Sequence, residues 1–122
     1  MHVVAVALVA LVALAHAWFL TLEMFLWEKP LGLKTFRNTP EKAASTAVLA
    51  KNQGLYNGFL VAGLVWGLVL GAQGAADARA VQTFFLGCVT VAGAYGAATV
   101  SRSILYVQAI PALLALGAVW MA

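Results

Sequence analysis

The sequence is short of charged residues. Of its 122 residues, seven are Lys or Arg and four are Asp or Glu, which together make up 9% of the chain. A soluble domain carries about 25% charged residues, so a water-soluble monomer of this length could not cover its surface. The hydrophobic share of 64% also excludes a disordered chain, because disorder requires low hydrophobicity. What remains is a polytopic membrane protein with little mass outside the bilayer.

Cysteine and the common functional motifs are scarce as well. The single cysteine, Cys88, excludes an intrachain disulfide framework and any CxxC motif, and its apolar surroundings predict a buried small hydrophobe. The chain contains no GxSxG, HExxH, GxGxxG or P-loop pattern. A net charge of +3, with aromatic residues embedded in apolar runs, does not indicate a nucleic-acid surface.

Long apolar runs dominate what is present. Each is close to the ~20 residues that a helix needs to cross a bilayer, and continuous runs favour helices over alternating strands. We predict an all-α membrane protein, a four-transmembrane-helix antiparallel bundle in one domain. The spans are about 3–27, 46–71, 80–99 and 103–121, with one sizeable loop at about 28–44.

Two local patterns refine these spans. Thr39, Pro40 and Glu41 follow the order of an N-cap, a first-turn proline and a first-turn acid, so the second helix should begin near residue 40, before the membrane. Ala15-His16-Ala17 resembles a signal-peptide cleavage site. However, no basic residue precedes the apolar run and the run continues past this point, so we expect an uncleaved first helix.

The distribution of Lys and Arg orients the predicted bundle. Six of the seven lie in or beside the first and third connections, and Arg79 alone lies on the opposite side. Cytoplasmic loops carry the excess of basic residues. We therefore expect loops 1 and 3 in the cytoplasm and both termini outside.

Polar side chains concentrate at the cytoplasmic ends of the predicted helices. Glu23 lies near the end of the first span, and His16, seven residues earlier, lies on the same face about 10 Å away along the axis. Polar groups within spans tend to face the protein interior, so we predict a polar pocket that is closed outward and accessible from the cytoplasm. Its candidate ligand-binding residues are His16, Glu23, Asn52, Gln53, Tyr56, Asn57, Tyr95, Thr99, Arg102 and Gln108.

Each of these groups also has a structural interpretation. Glu23 could pair with Arg102, or Arg102 could extend to the interface while Glu23 lies among amides. His16 could relay protons with Glu23, or remain a neutral, hydrogen-bonded core histidine. The amides of the second helix could bind a ligand or hold helices together. One histidine and one or two carboxylates are too few for a metal site, so we expect no metal and no cofactor.

Glycines at four-residue spacing form two ridges on the second helix. The first contains Gly54 and Gly58, and the second contains Gly63, Gly67 and Gly71. Such ridges allow another helix to approach closely. They would pack either within the bundle or against a second protomer.

Four stretches of the chain resemble a known family. They are HAWFLTLEMFLW at 16–27, NQGLYNGF at 52–59, the segment around Tyr95 and Gly96 from 92 to 99, and QAIP at 108–111. Together they resemble the bacterial small membrane proteins called domain of unknown function 1304. The resemblance covers nearly the whole chain and implies four transmembrane helices in the bacterial cytoplasmic (inner) membrane. It implies no established activity.

Three functions fit the sequence. The first is binding or transport of a small polar or amphipathic ligand, with Glu23 as a protonatable coupling site and with a homo-oligomer supplying the path. The second is a membrane-embedded enzyme acting on a lipid-like substrate, with Glu23 and His16 as acid and base. The third is an accessory or structural subunit whose polar groups serve only packing. The lipid bilayer is the expected surrounding in all three, and no nucleic acid is expected as a partner.

Overall fold

The computed structural model describes residues 2–122, and within that range the chain is helical with no strand. Three of the helices are long and apolar enough to cross a membrane, and a fourth apolar helix, Leu105–Met121, is shorter. The prediction of an all-helical protein with membrane-type helices is confirmed. The helices are α1 (His2–Met24), α2 (Pro30–Phe36), α3 (Pro40–Ala72), α4 (Ala78–Thr99) and α5 (Ile110–Met121), with a π-helical turn at Leu105–Ala109 before α5.

Helix boundaries around the first connection follow from local chemistry. The Thr39 hydroxyl oxygen accepts a hydrogen bond of 3.2 Å from the Lys42 amide, which confirms the predicted N-cap of α3. The predicted loop also contains α2, which the sequence interpretation did not include. Pro30 begins α2 because a first-turn proline loses no helical hydrogen bond, and Arg37 ends it in the left-handed conformation with φ 55°.

The chain forms two compact units, whose boundaries fall inside α1 and α3. The small unit, His16–Phe59, contains the end of α1, all of α2 and the first part of α3. Within it, Gly32 of α2 contacts the Leu26 carbonyl so closely that a Cβ there would overlap the oxygen. The missing side chain therefore allows α2 to pack directly against the chain that leaves α1.

The large unit contains Leu60–Ala122 and the α1 residues up to Ala15. Its core has large side chains on α3 and α4, such as Leu64, Leu86 and Val89, all fully buried. Small residues from α5 complete this core, because alanines three residues apart lie near one face of a helix. The α5 core residues are Ala112, Ala115, Ala118 and Val119.

The π-helical turn lies opposite a close backbone approach in the large unit. Pro111 has no amide hydrogen, so it cannot donate to the carbonyl of Val107 four residues earlier, and the regular hydrogen-bond ladder is interrupted there. Across from this turn, a Cβ at Gly93 would lie 2.6 Å from the Ala109 amide nitrogen. Glycine at position 93 therefore lets α4 contact the backbone of the π-helical turn.

Candidate functional site

Glu23 and Asn57 form the central polar contact of the small unit. The Asn57 Nδ2 donates a hydrogen bond of 2.6 Å to the Glu23 Oε1. Asn57 is only 6% exposed, whereas Glu23 is half-buried. This bond connects the last turn of α1 to α3, across 34 residues of sequence.

The glycines of α3 explain why this bond can form. A Cβ at Gly54 would overlap the Met24 side chain and lie 3.3 Å from the Glu23 Cβ. A Cβ at Gly58 would lie 3.0 Å from the Leu20 Cδ1. The two glycines therefore bring α1 close enough to α3 for the short Asn57 side chain to reach the carboxyl group.

The polar residues of α3 do not share one environment. Asn57 is buried, whereas Asn52, Gln53 and Tyr56 are exposed. At about 100° per residue, Asn57 lies at the edge of this polar arc, next to the face that carries Gly54. Its neighbours on the arc turn away from the glycine contact, and only Asn57 is enclosed.

His16 lies in a different environment from Glu23. It is fully buried, and its ring makes a T-shaped contact with the Phe19 ring at a centroid distance of 5.1 Å. It also has a further partner, and no fully buried side-chain polar atom within residues 2–122 lacks a hydrogen bond. Its burial and its partner agree with a satisfied core histidine, which was one of the two interpretations of the sequence.

Trp27 ties the chain that follows α1 to the beginning of α3. Its indole N–H donates to the Ala43 carbonyl at 3.1 Å and to the Thr46 Oγ1 at 3.2 Å. Its ring packs on that of Phe36 at 4.8 Å. The sequence alone does not identify this role of Trp27, because spacing does not reveal a contact across 16 to 19 residues.

An open cavity of about 330 Å³ lies beside Trp27. One part of its wall is apolar or aromatic and the other is charged, and Phe25 at its edge is 66% exposed. The sequence interpretation did not identify this cavity, because its residues come from the end of α1, from the segment before α2 and from α3. The lining residues are Met24, Phe25, Trp27, Glu28, Lys29, Ala47 and Lys51.

The remaining predicted site residues belong to the large unit. Tyr95, Thr99 and Arg102 are exposed, and the Thr99 hydroxyl donates to the Tyr95 carbonyl at 2.7 Å. Gln108 lies half-buried in the π-helical turn and has a partner. The convergence of all ten residues on one pocket, and the pairing of Glu23 with Arg102, stay predictions.

A polar contact that the sequence interpretation missed also lies in the large unit. The Gln82 side-chain amide donates to the Gly67 carbonyl of α3 at 2.8 Å. A glutamine opposite a glycine ridge is a usable signal, because a missing Cβ exposes the backbone carbonyl to a long amide side chain.

Within residues 2–122, no group of three or more His, Cys, Asp or Glu side chains is arranged to hold a metal ion.

Comparison with known proteins identifies one family. A family model described as "Protein of unknown function (DUF1304)" matches residues 10–120. Neither the curated proteins nor the solved structures include a match to the chain.

Proposed function

The chain belongs to the DUF1304 family, and from the geometry of its small unit we propose that it binds a small polar or amphipathic ligand at Glu23. The proposed setting is a bacterial inner membrane, with four antiparallel spans of which Leu105–Met121 is the fourth. Both termini lie outside, and the Glu23 end of α1 faces the cytoplasm. The excess of Lys and Arg in the connections at that end supports this orientation.

One observation carries the proposal: within residues 2–122, only one oxygen of the Glu23 carboxyl group accepts a hydrogen bond. Oε1 accepts the Asn57 bond, and no other hydrogen bond of Glu23 is found among residues 2–122. No fully buried side-chain polar atom in that range is without a partner, so Oε2 remains accessible. A carboxyl group is costly inside a membrane unless it has partners and generally marks a functional site there.

The ligand class follows from the interactions that the Glu23 carboxyl group can make. An oriented carboxyl oxygen accepts a hydrogen bond from an N–H or O–H group, or pairs with a cation. Gln53, which is exposed and lies about 40° from Asn57 around the helix, adds a donor and an acceptor about one turn nearer the connection. A carboxyl group can also take up a proton, so a ligand that competes with that proton would couple transport to proton movement. A single chain of this size leaves little room for a translocation path across the membrane, which favours a homo-oligomer for transport.

Native mass spectrometry of protein released from nanodiscs tests the proposal. We expect wild type to retain a small molecule that disappears in Glu23→Gln. Glu41→Gln is the matched control, because it makes the same chemical change at an exposed carboxyl group that takes no part in this bond. Identical spectra for all three proteins, with or without a retained molecule, would contradict ligand binding at Glu23 and leave Glu23 as a packing residue.

A flux measurement then separates transport from binding alone. The molecule identified by its mass is loaded into vesicles that contain the protein. Transport predicts proton-linked flux that Glu23→Gln abolishes and Glu41→Gln preserves. Binding without flux in the wild type would restrict the function to ligand capture.

A further inference from the structure

The cavity beside Trp27 has the chemistry of a phospholipid site. Its volume of about 330 Å³ lies within the range of about 300–1,000 Å³ that small-molecule sites occupy. Two of its lining residues, Lys29 and Lys51, are cations, and Glu28 is the one acid of the lining. Neither Glu23 nor Asn57 lines it, so this inference is independent of ligand binding at Glu23.

The charges around the cavity favour an anion. The chain from Glu28 to Lys51 contains five Lys or Arg and two Glu. The three basic residues of this segment that do not line the cavity, Lys34, Arg37 and Lys42, are all exposed. Ammonium groups donate charge-assisted hydrogen bonds to phosphate oxygens, and basic residues beside a membrane attract anionic lipids.

The apolar part of the lining distinguishes a lipid from a soluble anion. Met24, Phe25 and Trp27 contribute apolar or aromatic surface to the same cavity as the lysines. Phe25 is 66% exposed, so an acyl chain could lie along its ring while the headgroup meets the lysines. A free phosphate ion has no apolar part, so contact with this surface would not stabilise its binding.

The position of the cavity along the helices matches the level of lipid headgroups. It begins at Met24, where the apolar helix α1 ends. On α3, Lys51 lies six residues before Asn57, which is about 9 Å along the helix axis toward the connection. The lysines therefore lie beyond the Glu23–Asn57 contact on the side where the chain leaves its apolar span.

We propose that this cavity binds a phospholipid with a net negative headgroup, its phosphate between Lys29 and Lys51 and an acyl chain along Phe25. The test uses nanodiscs of phosphatidylcholine that contain a minor share of phosphatidylglycerol. Native mass spectrometry of the released protein counts the molecules of each lipid that stay bound. We expect wild type to retain phosphatidylglycerol preferentially.

Charge-matched variants distinguish binding in the cavity from general attraction of anionic lipids by the basic residues around it. Lys29→Gln/Lys51→Gln should reduce retained phosphatidylglycerol by about 25-fold, because each of the two lost cations near an anionic surface weakens binding about fivefold. Lys34→Gln/Lys42→Gln loses the same charge outside the cavity and should change retention less than about twofold. Equal losses in both double variants, or no preference in wild type, would overturn the proposal.

Two further experiments test whether the bound molecule is a lipid that occupies this cavity. Ala47→Trp fills the cavity and keeps both lysines, so it should also lose the bound lipid. Excess inorganic phosphate should leave phosphatidylglycerol in place, and complete displacement would show a site for the phosphate group alone. Glu23→Gln should not alter retention, which keeps this result separate from ligand binding at Glu23. Thermal unfolding of each variant checks that the fold is kept.

Discussion

Asn57 donates a 2.6 Å hydrogen bond to Glu23, and the two residues lie on different helices, 34 positions apart. We expect Asn57→Leu, which keeps the branched shape of the side chain and removes the donor, to lower the free energy of unfolding. Hydrogen bonds between membrane helices average about 0.6 kcal/mol and reach about 1.7 kcal/mol, so a loss of roughly 1 kcal/mol is expected. Reversible unfolding in mixed detergent micelles measures it.

Asn52→Leu is the control for this bond. It makes the same chemical change at an exposed position of the same helix and should shift stability by less than about 0.5 kcal/mol. Equal destabilisation by the two variants would mean that the Asn57 bond contributes nothing of its own.

Gly93→Ala should destabilise the large unit. An added Cβ would lie 2.6 Å from the Ala109 amide nitrogen and 2.9 Å from the Ala109 Cα, so two backbones would have to separate. Overpacking of this kind costs about 1–3 kcal/mol. Gly87→Ala is the control, because a Cβ there meets nothing within 4 Å. A melting temperature that falls for Gly87→Ala as much as for Gly93→Ala would contradict the close contact.

Gly74→Ala should destabilise for a different reason, namely its backbone conformation. Gly74 has φ 68° with open space around it, and it follows the end of α3. The Ala75 amide there bonds to the Leu70 carbonyl and the Gly74 amide to the Gly71 carbonyl, the Schellman pattern. Alanine in this left-handed conformation costs roughly 1 kcal/mol.

Gly117→Ala is the comparison for Gly74. Position 117 also has open space, but it lies inside α5, where alanine stabilises a helix by up to about 1 kcal/mol over glycine. The two substitutions should therefore move the melting temperature in opposite directions. A shift of the same sign would contradict the conformational argument.

Trp27→Phe should weaken the small unit, because it removes the indole N–H while keeping an aromatic ring beside Phe36. The lost hydrogen bonds to Ala43 and Thr46 predict a destabilisation of about 0.5–1.5 kcal/mol. Thermal unfolding followed by circular dichroism measures it. Trp66→Phe is the control at a half-exposed tryptophan of α3, and a comparable effect there would remove the special role of Trp27.

Cysteine labelling tests the proposed orientation. In a Cys88→Ala background, Lys34→Cys should react with a membrane-impermeant maleimide from the cytoplasmic side, because the basic connection is expected there. Ala76→Cys, exposed in the segment between α3 and α4, should react from the other side. The reverse pattern would invert the topology.

The sequence predicted helices well and their contacts less well. Long apolar runs identify α1, α3 and α4, and the N-cap pattern identifies the start of α3 at Pro40. The hydrophobic pattern does not reveal α2, because seven residues are too few to show a helical period. The packing of α2 also depends on the contact of Gly32 with the Leu26 carbonyl, which local sequence does not show.

Only part of the candidate site could be predicted from the sequence. Depth along the helices and polarity, both readable from the sequence, place Glu23 and Asn57 among the ten candidate residues. They do not separate buried Asn57 from exposed Asn52, since that difference depends on where the glycine face of α3 meets α1. The cavity near Lys29 and Lys51 joins segments about 20 residues apart, a contact that local patterns do not contain.

The π-helical turn at Leu105–Ala109 bears on which changes in chain length the fold can accept. Such a turn holds one residue more than an α-helical turn, so deleting one residue within it would leave α5 facing as it does. The same deletion inside α5 would rotate everything after it by about 100°, turning Ala115 and Ala118 away from the core. Trp120 would then lose the 3.0 Å hydrogen bond that it donates to Thr83. The turn is therefore the place in this helix where the deletion of a single residue can be absorbed.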